Sequence, residues 1–156
     1  MNIRRATSAD GSLLSFLTVD VQRLHAERHP DIFKMPSDDE FALTFFDEQP
    51  ADQKVSIFIA EAKDQALGCV VCKLMERDQT LFTFELRYLL IDQISVRPEA
   101  QGKGVGAALI KQAELLAREL NVKEIRLDSW DFNIKAHAFF ENQGFEKFNH
   151  RFLKKI

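Results

Sequence analysis

The stretch Ile91-Asp-Gln-Ile-Ser-Val-Arg-Pro-Glu-Ala-Gln-Gly-Lys-Gly-Val-Gly-Ala-Ala-Leu109 decides the fold of this chain. It begins as an apolar strand, breaks at Arg97-Pro98, and places Gly102, Gly104 and Gly106 ahead of a long amphipathic helix. Because glycine lacks a Cβ, the backbone there can turn tightly and bring its N–H groups close to an anion. The helix that begins among the glycines points its unpaired N–H groups and its positive dipole end at the same place. The stretch therefore predicts a phosphate-binding loop between a strand and a helix.

The spacing of the glycines separates this loop from two common phosphate-binding loops. A Walker loop needs Gly-Lys-Ser/Thr after a four-residue gap, and no such sequence follows here. A dinucleotide fingerprint needs two residues before its third glycine, and this loop has only one. The pattern present is Gln-x-x-Gly-x-Gly, from Gln101 to Gly106. The alternative is a plain glycine-rich turn between a strand and a helix, with no ligand.

A second pattern lies one helix and one strand after the glycine loop. The stretch Asn133-Ile-Lys-Ala-His-Ala-Phe-Phe-Glu-Asn-Gln-Gly-Phe145 is similar to the acetyltransferase signature Asn-x-x-Ala-x-x-Phe-Tyr-x-x-x-Gly-Phe. With both patterns in this order, the chain resembles the GNAT superfamily of N-acetyltransferases. The resemblance is strong over residues 87–149. The residues before them match only in the order of their elements.

The resemblance implies an enzyme that moves an acetyl group from acetyl-CoA to the primary amine of a small molecule by direct transfer. It also implies that the strands carrying Ile94–Val96 and Leu127–Ser129 part, so that the pantetheine arm lies between them and the pyrophosphate lies on the glycine loop. The residues expected to bind the cofactor are Ile94, Ser95, Val96, Gln101, Gly102, Lys103, Gly104, Val105, Gly106, Ala107, Asn133, Ala136 and Phe140. The alternatives are acetylation of a protein N-terminus or lysine, and a CoA-binding module with little turnover.

Asp92 is the expected catalytic residue. Related enzymes often carry a glutamate at this place on the central strand, where it removes the proton of the attacking amine. A carboxylate within an apolar strand needs a reason, because an unpaired buried charge is costly. The alternative interpretation is that Asp92 pairs with a neighbouring arginine or a backbone N–H.

Phe140 is where the sequence departs from the acetyltransferase signature. The family usually has a tyrosine there, which is assigned as the general acid to the leaving thiolate, and phenylalanine cannot donate a proton. The only tyrosine of the chain is Tyr88, at the start of the central strand. We expect the Phe140 ring to pack on the pantetheine arm or in the core, and the general acid stays unidentified.

His25 and His29 are one helical turn apart near the end of the first predicted helix. In the related enzymes this helix borders the acceptor pocket, so both are candidate substrate-binding residues. His-x-x-x-His also occurs in zinc proteins, but the zincin order His-Glu-x-x-His is not met and no metal is expected. Exposed polar helix residues are the alternative.

The periodicity of apolar residues predicts an α/β fold with a central mixed sheet and helices on both faces, in one domain over residues 1–156. Strands are predicted at 2–7, 55–62, 67–74, 87–96, 124–130 and within 145–153, with 79–84 extending the sheet. Helices are predicted between Thr7 and Pro30 and at 37–46, 105–120 and 134–142. The unit from residue 87 to 130 should be a right-handed parallel β-α-β crossover.

Composition excludes several classes of partner. The net charge of −3 and the absence of a basic stripe argue against nucleic acid. No apolar run is long enough to span a membrane, and no signal-type segment follows the N-terminal residues, so a cytoplasmic location is expected. Acidic residues cluster between Asp31 and Asp52. They would attract a cationic acceptor, or they form the solvated face of a helix. The expected partners are acetyl-CoA and an amine acceptor. Whether two copies of the chain form a homodimer is left open by the sequence.

Cys69 and Cys72 form the motif Cys-x-x-Cys. This spacing suggests half a zinc site or a redox pair, but positions three apart on a strand face opposite sides and no second ligand pair exists. We therefore expect two reduced thiols in the core.

Overall fold

A computed structural model of the protein describes residues 1–36, 54–63 and 65–156. The strands are β1 (Asn2–Arg5), β2 (Val55–Ala62), β3 (Gln65–Arg77), β4 (Leu86–Val96) and β5 (Ile125–Leu127), and the helices are α1 (Gly11–Arg28), α2 (Val105–Glu119) and α3 (Ile134–Asn142). Short 3₁₀ turns at Ser8–Asp10 and Pro98–Ala100 precede α1 and the glycine loop. None of the described helices is long and apolar enough to cross a membrane.

The five described strands form one mixed sheet in the order β1-β2-β3-β4-β5. The first four are antiparallel neighbours, and β4 and β5 are parallel. The hairpin predicted from the two apolar runs before and after Asp64 is confirmed by the pairing of β2 with β3, although Asp64 itself lies outside the described residues. The parallel pair joined by α2 confirms the predicted β-α-β unit.

Each face of the sheet packs against its own helix. On one face, Leu14 and Leu17 of α1 pack on a layer of β2 and β3 side chains that includes Ile57, Ile59 and Val71. On the other face, α2 buries a stripe of apolar residues against β2, β3 and β4; the stripe is Val105, Leu109, Ile110, Ala113, Leu116 and Ala117. The predicted fold class, a mixed sheet with helices on both faces, is confirmed.

The two cysteines lie back to back on β3. Cys69 belongs to the α1-side core and Cys72 to the α2-side core, and both are free thiols with no exposed surface. Burial raises the pKa of each thiol to about 12. They are core thiols, as the strand period predicts, and they cannot reach one another across the sheet.

An ion cluster joins the first two strands to the entry of α1. Arg4 on β1 binds both carboxylate oxygens of Asp10 at 2.7 and 2.8 Å, and its Nε donates to Glu61 on β2 at 2.9 Å. Asp10 also accepts the backbone N–H and the hydroxyl of Thr7 at 2.8 and 3.0 Å. Hydrogen bonds from Arg4, and then from Thr7, hold the pKa of the Asp10 carboxyl well below its ordinary value.

The structure differs from the sequence prediction in the peripheral strands. Residues 145–153 carry no strand, and neither do residues 79–84. β5 is limited to Ile125–Leu127, shorter than the 124–130 predicted. A strand exists only where a neighbour completes its hydrogen bonds, and β5 is the outermost of the described strands. The predicted helix at 37–46 lies outside the described residues.

Candidate active site

A β-bulge in the middle of β4 organises the candidate site. On β3, Val71 and Cys72 are consecutive, but their partners on β4 are Gln93 and Ile91, so Asp92 is one extra residue. A bulge of this kind changes which residues face each side of the sheet. Before it, Leu89 and Ile91 face α2; after it, the side chains facing α2 belong to even-numbered residues.

Beyond the bulge, β4 and β5 separate. Their pairing ends at Ile91 and Leu127, whereas β4 stays paired with β3 as far as Val96. The stretch from Asp92 to Val96 therefore has an edge that no described strand covers. We call this opening between the ends of β4 and β5 the gap.

The backbone of Ile94 and Val96 faces the gap. The N–H of Arg97 donates to Leu67 of β3 at 2.9 Å, and backbone groups of alternate strand residues point to opposite neighbours. It follows that Ser95 and Arg97 turn their backbones to β3, and Ile94 and Val96 turn theirs away from it. The Val96 carbonyl accepts the Gln101 side-chain amide at 3.2 Å, in agreement with this orientation.

Ser95 is turned away from the gap. Its side chain is 2% exposed and its hydroxyl donates to the backbone carbonyl of Leu17 in α1 at 2.5 Å. Nearby, Arg97 donates to Asp20 of α1 at 2.7 Å and lies over the Phe16 ring. The structure therefore places Ser95 and Arg97 where they hold α1 on the sheet.

The glycine loop joins the end of β4 to the N-terminus of α2. Gly102 and Gly104 have φ angles of +73° and +81°, and a Cβ added to either would meet no atom within 4 Å. Within the described residues, the first amide of α2 that donates to a backbone carbonyl is that of Ala108, to Gly104 at 3.0 Å. The amides of Val105–Ala107 are thus available to an anion in front of the helix, and the exposed Lys103 adds a positive charge there.

α3 packs against the start of α2. Asn133 is the N-cap of α3, and its side-chain oxygen accepts the N–H of Ala136 at 3.3 Å. A Cβ on Gly106 would lie 2.9 Å from the Phe139 ring, so the two helices approach closely only because residue 106 is glycine. The Phe139 ring therefore sets the distance between α3 and the start of α2. The signature includes this phenylalanine, but the sequence alone did not show its role.

Phe140 lies in an aromatic group on the α2 side of the sheet. Its ring is 5.3 Å from that of Phe139 and 5.8 Å from that of Phe145, and it packs against the core. The amide of Phe145 donates to the Phe140 carbonyl at 3.0 Å. Core packing thus accounts for the phenylalanine at this position.

Asp92 forms an ion pair with Lys73 of β3, with 3.0 Å between Oδ2 and Nζ. Both side chains are about one-third exposed, at 35% for Asp92 and 27% for Lys73. Lys73 lies between Cys72 and Leu74, which both face α2, so Lys73 and the carboxylate paired with it lie on the α1 face of the sheet, beside the point where the gap begins. Lys73 was not among the residues singled out from the sequence, since its approach to Asp92 depends on the bulge.

His25 and His29 belong to an aromatic cluster with Phe33, Trp130 and Phe132. Ring centroids are 5.0 Å apart for His25 and Phe33 and 4.7 Å apart for His29 and Trp130, and Phe132 lies 5.5 Å from each histidine. The His25 Nδ1 lies 2.7 Å from the Val21 carbonyl, so Nδ1–H donates to that carbonyl. The cluster ties the end of α1 to the loop that follows β5.

The described residues contain no group of three or more histidine, cysteine, aspartate or glutamate side chains that could hold a metal ion. The candidate site is therefore built from backbone amides, one ion pair and aromatic rings. The gap leads directly into the glycine loop. Asp92 lies where the gap begins, and the aromatic cluster joins the end of α1 to the loop that follows β5.

Three known proteins are similar to this chain in sequence or in fold. The uncharacterized N-acetyltransferase YhfO of Bacillus subtilis (strain 168) is 24% identical over 94% of this chain and 91% of its own length. The structure of the tetramutant of BH1408 protein from Bacillus halodurans superposes with a TM-score of 0.94 at 20% identity, covering all of both chains. The apo aminoglycoside antibiotic 6'-N-acetyltransferase AAC(6')-IG from Acinetobacter haemolyticus gives a TM-score of 0.74 at 23% identity, over 100% of this chain and 99% of that one.

The profile of the Acetyltransferase (GNAT) family matches residues 18–145, which include the bulge, the gap, the glycine loop and both aromatic groups. This span exceeds half of the chain. The protein therefore belongs to the GNAT family of acetyltransferases.

Proposed function

We propose that the protein is an N-acetyltransferase that uses acetyl-CoA to acetylate the primary amine of a small molecule by direct transfer. The observation that carries the proposal is the gap between β4 and β5, which leads into the glycine loop. An extended arm with amide groups can pair with the backbone of Ile94 and Val96, and a pyrophosphate can then lie before the amides of α2. One continuous surface thus suits both halves of one ligand.

Each part of the chain has a distinct role in this proposal. Ile94 and Val96 hold the arm by backbone hydrogen bonds, and the loop from Gln101 to Ala107 binds the pyrophosphate, with Lys103 adding a positive charge. Asn133 and Ala136 position the first turn of α3 beside the gap. Ser95 acts indirectly, because its hydroxyl keeps α1 against β4.

Asp92 is the proposed base. In direct transfer the amine nitrogen attacks the thioester carbonyl, the C–N bond forms, the C–S bond breaks, and the amine proton must be removed. The Asp92 carboxylate is accessible and held by Lys73, and it borders the gap on the face of the sheet that α1 covers. A proton accepted there can pass to solvent, since the side chain is 35% exposed.

The leaving thiolate does not depend on Phe140 for a proton. A thiol has a pKa of roughly 8.5, so its thiolate is a tolerable leaving group near neutral pH without a positioned acid. This argument supports turnover despite the replacement of the usual tyrosine. In this proposal Phe140 contributes an apolar wall, which its packing with Phe139 and Phe145 supports.

The acceptor pocket is bordered by Asp92 and by the aromatic cluster, in which His25 and His29 are the polar members. Apolar rings with a few polar groups favour a small organic amine over an extended peptide. The expected cytoplasmic location is kept in the proposal.

The test is acetyl-CoA consumption across a panel of amines. The panel should include polyamines, aminoglycosides, a lysine-containing peptide and a peptide with a free N-terminus, and the readout is CoA thiol released. We expect at least one small amine to raise the release about tenfold or more above the rate without acceptor. Acetylation of peptides alone would favour the protein acetyltransferase. CoA binding without turnover on any amine would favour the binding module.

A further inference from the structure

Arg97 lies at the junction between β4 and the turn that leads into the glycine loop. Its backbone N–H donates to the Leu67 carbonyl of β3 at 2.9 Å, and its own carbonyl accepts the N–H of Ala100 at 2.8 Å. The first bond continues the sheet, and the second closes the Pro98–Ala100 turn. The backbone of Arg97 therefore fixes where the chain leaves the sheet toward the glycine loop.

The side chain of Arg97 reaches α1. Its guanidinium donates to the Asp20 carboxylate at 2.7 Å and lies 4.2 Å from the centre of the Phe16 ring, one turn earlier on the same helix. Only 18% of the Arg97 side chain is exposed, so water and salt screen this pair less than an exposed one. Its Nε also donates to Glu99 in the turn at 3.4 Å. One guanidinium thus joins α1 to the turn before the glycine loop.

α1 is attached on both sides of the gap. On the β4 side it is held by Arg97 through Asp20. On the other side, the aromatic cluster joins His29 to Trp130 in the loop that follows β5, with 4.7 Å between the ring centroids. His29 comes about two and a half turns after Asp20, or about 14 Å along the helix axis. This stretch of α1 therefore extends from one side of the gap to the other.

We propose that Arg97 is a positioning residue for acetyl transfer, which acts on α1 through Asp20. Its backbone sets the place of the glycine loop, and its side chain sets the place of α1. The donor and the end of α1 that carries His25 and His29 are thereby held in one fixed geometry. This inference rests on the proposed function, in which the glycine loop binds the pyrophosphate and the two histidines border the acceptor.

Acetyl transfer is sensitive to this geometry. The amine nitrogen must come within about 3–3.5 Å of the thioester carbonyl, and a displacement of about 1 Å can lower the rate about 100-fold. Ser95 also attaches α1 to β4, but its bond goes to the Leu17 carbonyl, near the middle of the helix. Without the Asp20 contact, α1 can rotate about this point, and its far end shifts most.

The first experiment follows Trp130, the single tryptophan of the chain. Trp130 is 37% exposed and its ring lies against His29, so quenching of its fluorescence by acrylamide reports the position of the end of α1. Asp20→Asn removes the ion pair and keeps the size of the side chain, and Arg97→Met removes the guanidinium. In both variants we expect a larger quenching constant and emission at longer wavelength than in the parent, with an unchanged far-ultraviolet circular dichroism spectrum.

The matched control is Arg23→Gln. Arg23 also pairs with Asp20, with 3.6 Å between Nη1 and Oδ1, but both residues belong to α1. This pair cannot fix the helix relative to the sheet, so its removal should leave the quenching constant of Trp130 unchanged. The double variant Asp20→Asn/Arg97→Met should give the same constant as either single variant, because both changes break one contact.

The second experiment separates the acceptor from the donor. At a temperature well below unfolding, Asp20→Asn should lower kcat/KM for the amine that the parent accepts best by about tenfold. Calorimetry should find a CoA affinity close to that of the parent, because the backbone bonds of Arg97 still hold the turn before the glycine loop. If the pair contributed to overall stability alone, neither quantity would change.

Arg97→Lys keeps the proposal testable if Asp20→Asn or Arg97→Met does not fold. Lysine keeps a positive charge near Asp20 but lacks the planar group that lies over Phe16, so the quenching constant should exceed that of the parent by a smaller margin. Equal quenching of Trp130 in the parent and these variants would overturn the proposal. So would an unchanged kcat/KM in Asp20→Asn, or a loss of CoA affinity as large as the loss of kcat/KM. If no amine is accepted, the proposed function fails, and the quenching of Trp130 still tests the positioning of α1.

Discussion

At the residue scale, Gly104 offers the most direct test of the proposed pyrophosphate site. Its φ of +81° belongs to the left-handed region, and nothing within 4 Å would obstruct a Cβ there. The strain of a side chain at such a φ is about 1–2 kcal/mol. The open space in front of Gly104 is where the pyrophosphate should lie, so any added atom competes with the ligand.

Replacing Gly104 by alanine should weaken CoA binding about tenfold or more, which corresponds to about 1.4 kcal/mol. The matched control is Gly144→Ala, because Gly144 has a similar φ of +86° and an equally open surrounding at the end of α3. Both variants should lose similar stability, and calorimetry should find weaker CoA binding in Gly104→Ala alone. Equal affinities in the two variants would show that the loop does not hold the pyrophosphate.

Asp92 can be separated from its ion pair by two substitutions. If Asp92 is the base, Asp92→Asn should lower turnover on an accepted amine by about 10²-fold, with CoA affinity unchanged. Lys73→Met keeps the carboxylate and removes its partner, so it should cost less turnover than Asp92→Asn. The measurement is kcat over about pH 6 to 9. A near-normal rate for Asp92→Asn across that range would leave the residue only the role of pairing with Lys73.

At the element scale, the contact between α2 and α3 depends on one missing methyl group. Glycine inside a helix usually costs about 0.5–1 kcal/mol relative to alanine, so Gly106→Ala would ordinarily stabilise α2. Here the added Cβ would lie 2.9 Å from the Phe139 ring, which is packed against the core. The clash with the Phe139 ring should therefore outweigh the gain in helix propensity, so that Gly106→Ala lowers the free energy of unfolding.

We expect Gly106→Ala to lower the free energy of unfolding by about 1–2 kcal/mol, measured by urea denaturation. The double variant Gly106→Ala/Phe139→Leu should recover part of this loss, because leucine does not reach as far as the ring. Phe139→Leu alone is the reference for the double variant. A Gly106→Ala protein more stable than the parent would show that α3 moves aside at little cost.

The ion cluster of Arg4 and Asp10 joins β1 to the entry of α1. Because the pKa of Asp10 is held below its ordinary value in the folded state, its stabilisation is present near neutral pH and is lost as the pH falls below about 4. Asp10→Asn should lower the free energy of unfolding by about 1–2 kcal/mol at pH 7. The difference from the parent should shrink in acid.

Glu114→Gln is the control for Asp10→Asn. Glu114 and Arg118 form an exposed ion pair on α2, with 3.6 Å between Oε2 and Nη2, and such pairs contribute little. Its removal should change stability by less than about 0.5 kcal/mol at either pH. A loss as large as that of Asp10→Asn would mean that overall charge is responsible, and not the cluster at the start of α1.

At the scale of the whole molecule, the two cysteines report on global unfolding. Cys69 and Cys72 are completely buried, on opposite faces of the central strand β3. Neither can meet a thiol reagent or a metal ion while both cores are intact. Only the opening of the whole sheet exposes both.

Burial raises the pKa of each cysteine to about 12 from 9.0, so the unfolded chain loses these protons first as the pH rises. Stability should therefore fall as the pH rises above about 9. At pH 8, a thiol reagent should label Cys69 and Cys72 at the same rate. This labelling rate should equal the rate of global unfolding measured in urea. Fast labelling of one cysteine would reveal a local opening of the core on that side.

The sequence predicted the parts of the molecule that local patterns determine. The glycine loop, the helix at 134–142 and the back-to-back cysteines follow from spacing within a few residues. The bulge at Asp92 could not be predicted, because it depends on the register between β3 and β4, to which residues far apart in the chain contribute. For the same reason, the pairing of Asp92 with Lys73 could not be predicted.

The strands predicted within residues 145–153 show a case in which a local pattern was misleading. The local pattern there favours a strand, but a strand needs the hydrogen bonds of a neighbour, and no described strand supplies them. Local preference is therefore necessary but not sufficient at the edge of a sheet. The assigned cofactor contacts and the roles of Asp92, His25 and His29 stay predictions until ligands are bound and acceptors are assayed.

The bulge at Asp92 also constrains how this sequence can evolve. Upstream of it, the backbone of Ile91 pairs with β5; downstream, the backbone of Ile94 and Val96 faces the gap. Loss or gain of one residue between Ile91 and Ile94 would turn those amides toward β3 and close the edge at which we propose that acetyl-CoA binds. Relatives that keep the activity can vary the other side chains here, but should keep the number of residues and a carboxylate at position 92. Chain length across this short stretch is therefore a marker of an active homologue in its own right, beside the carboxylate at position 92.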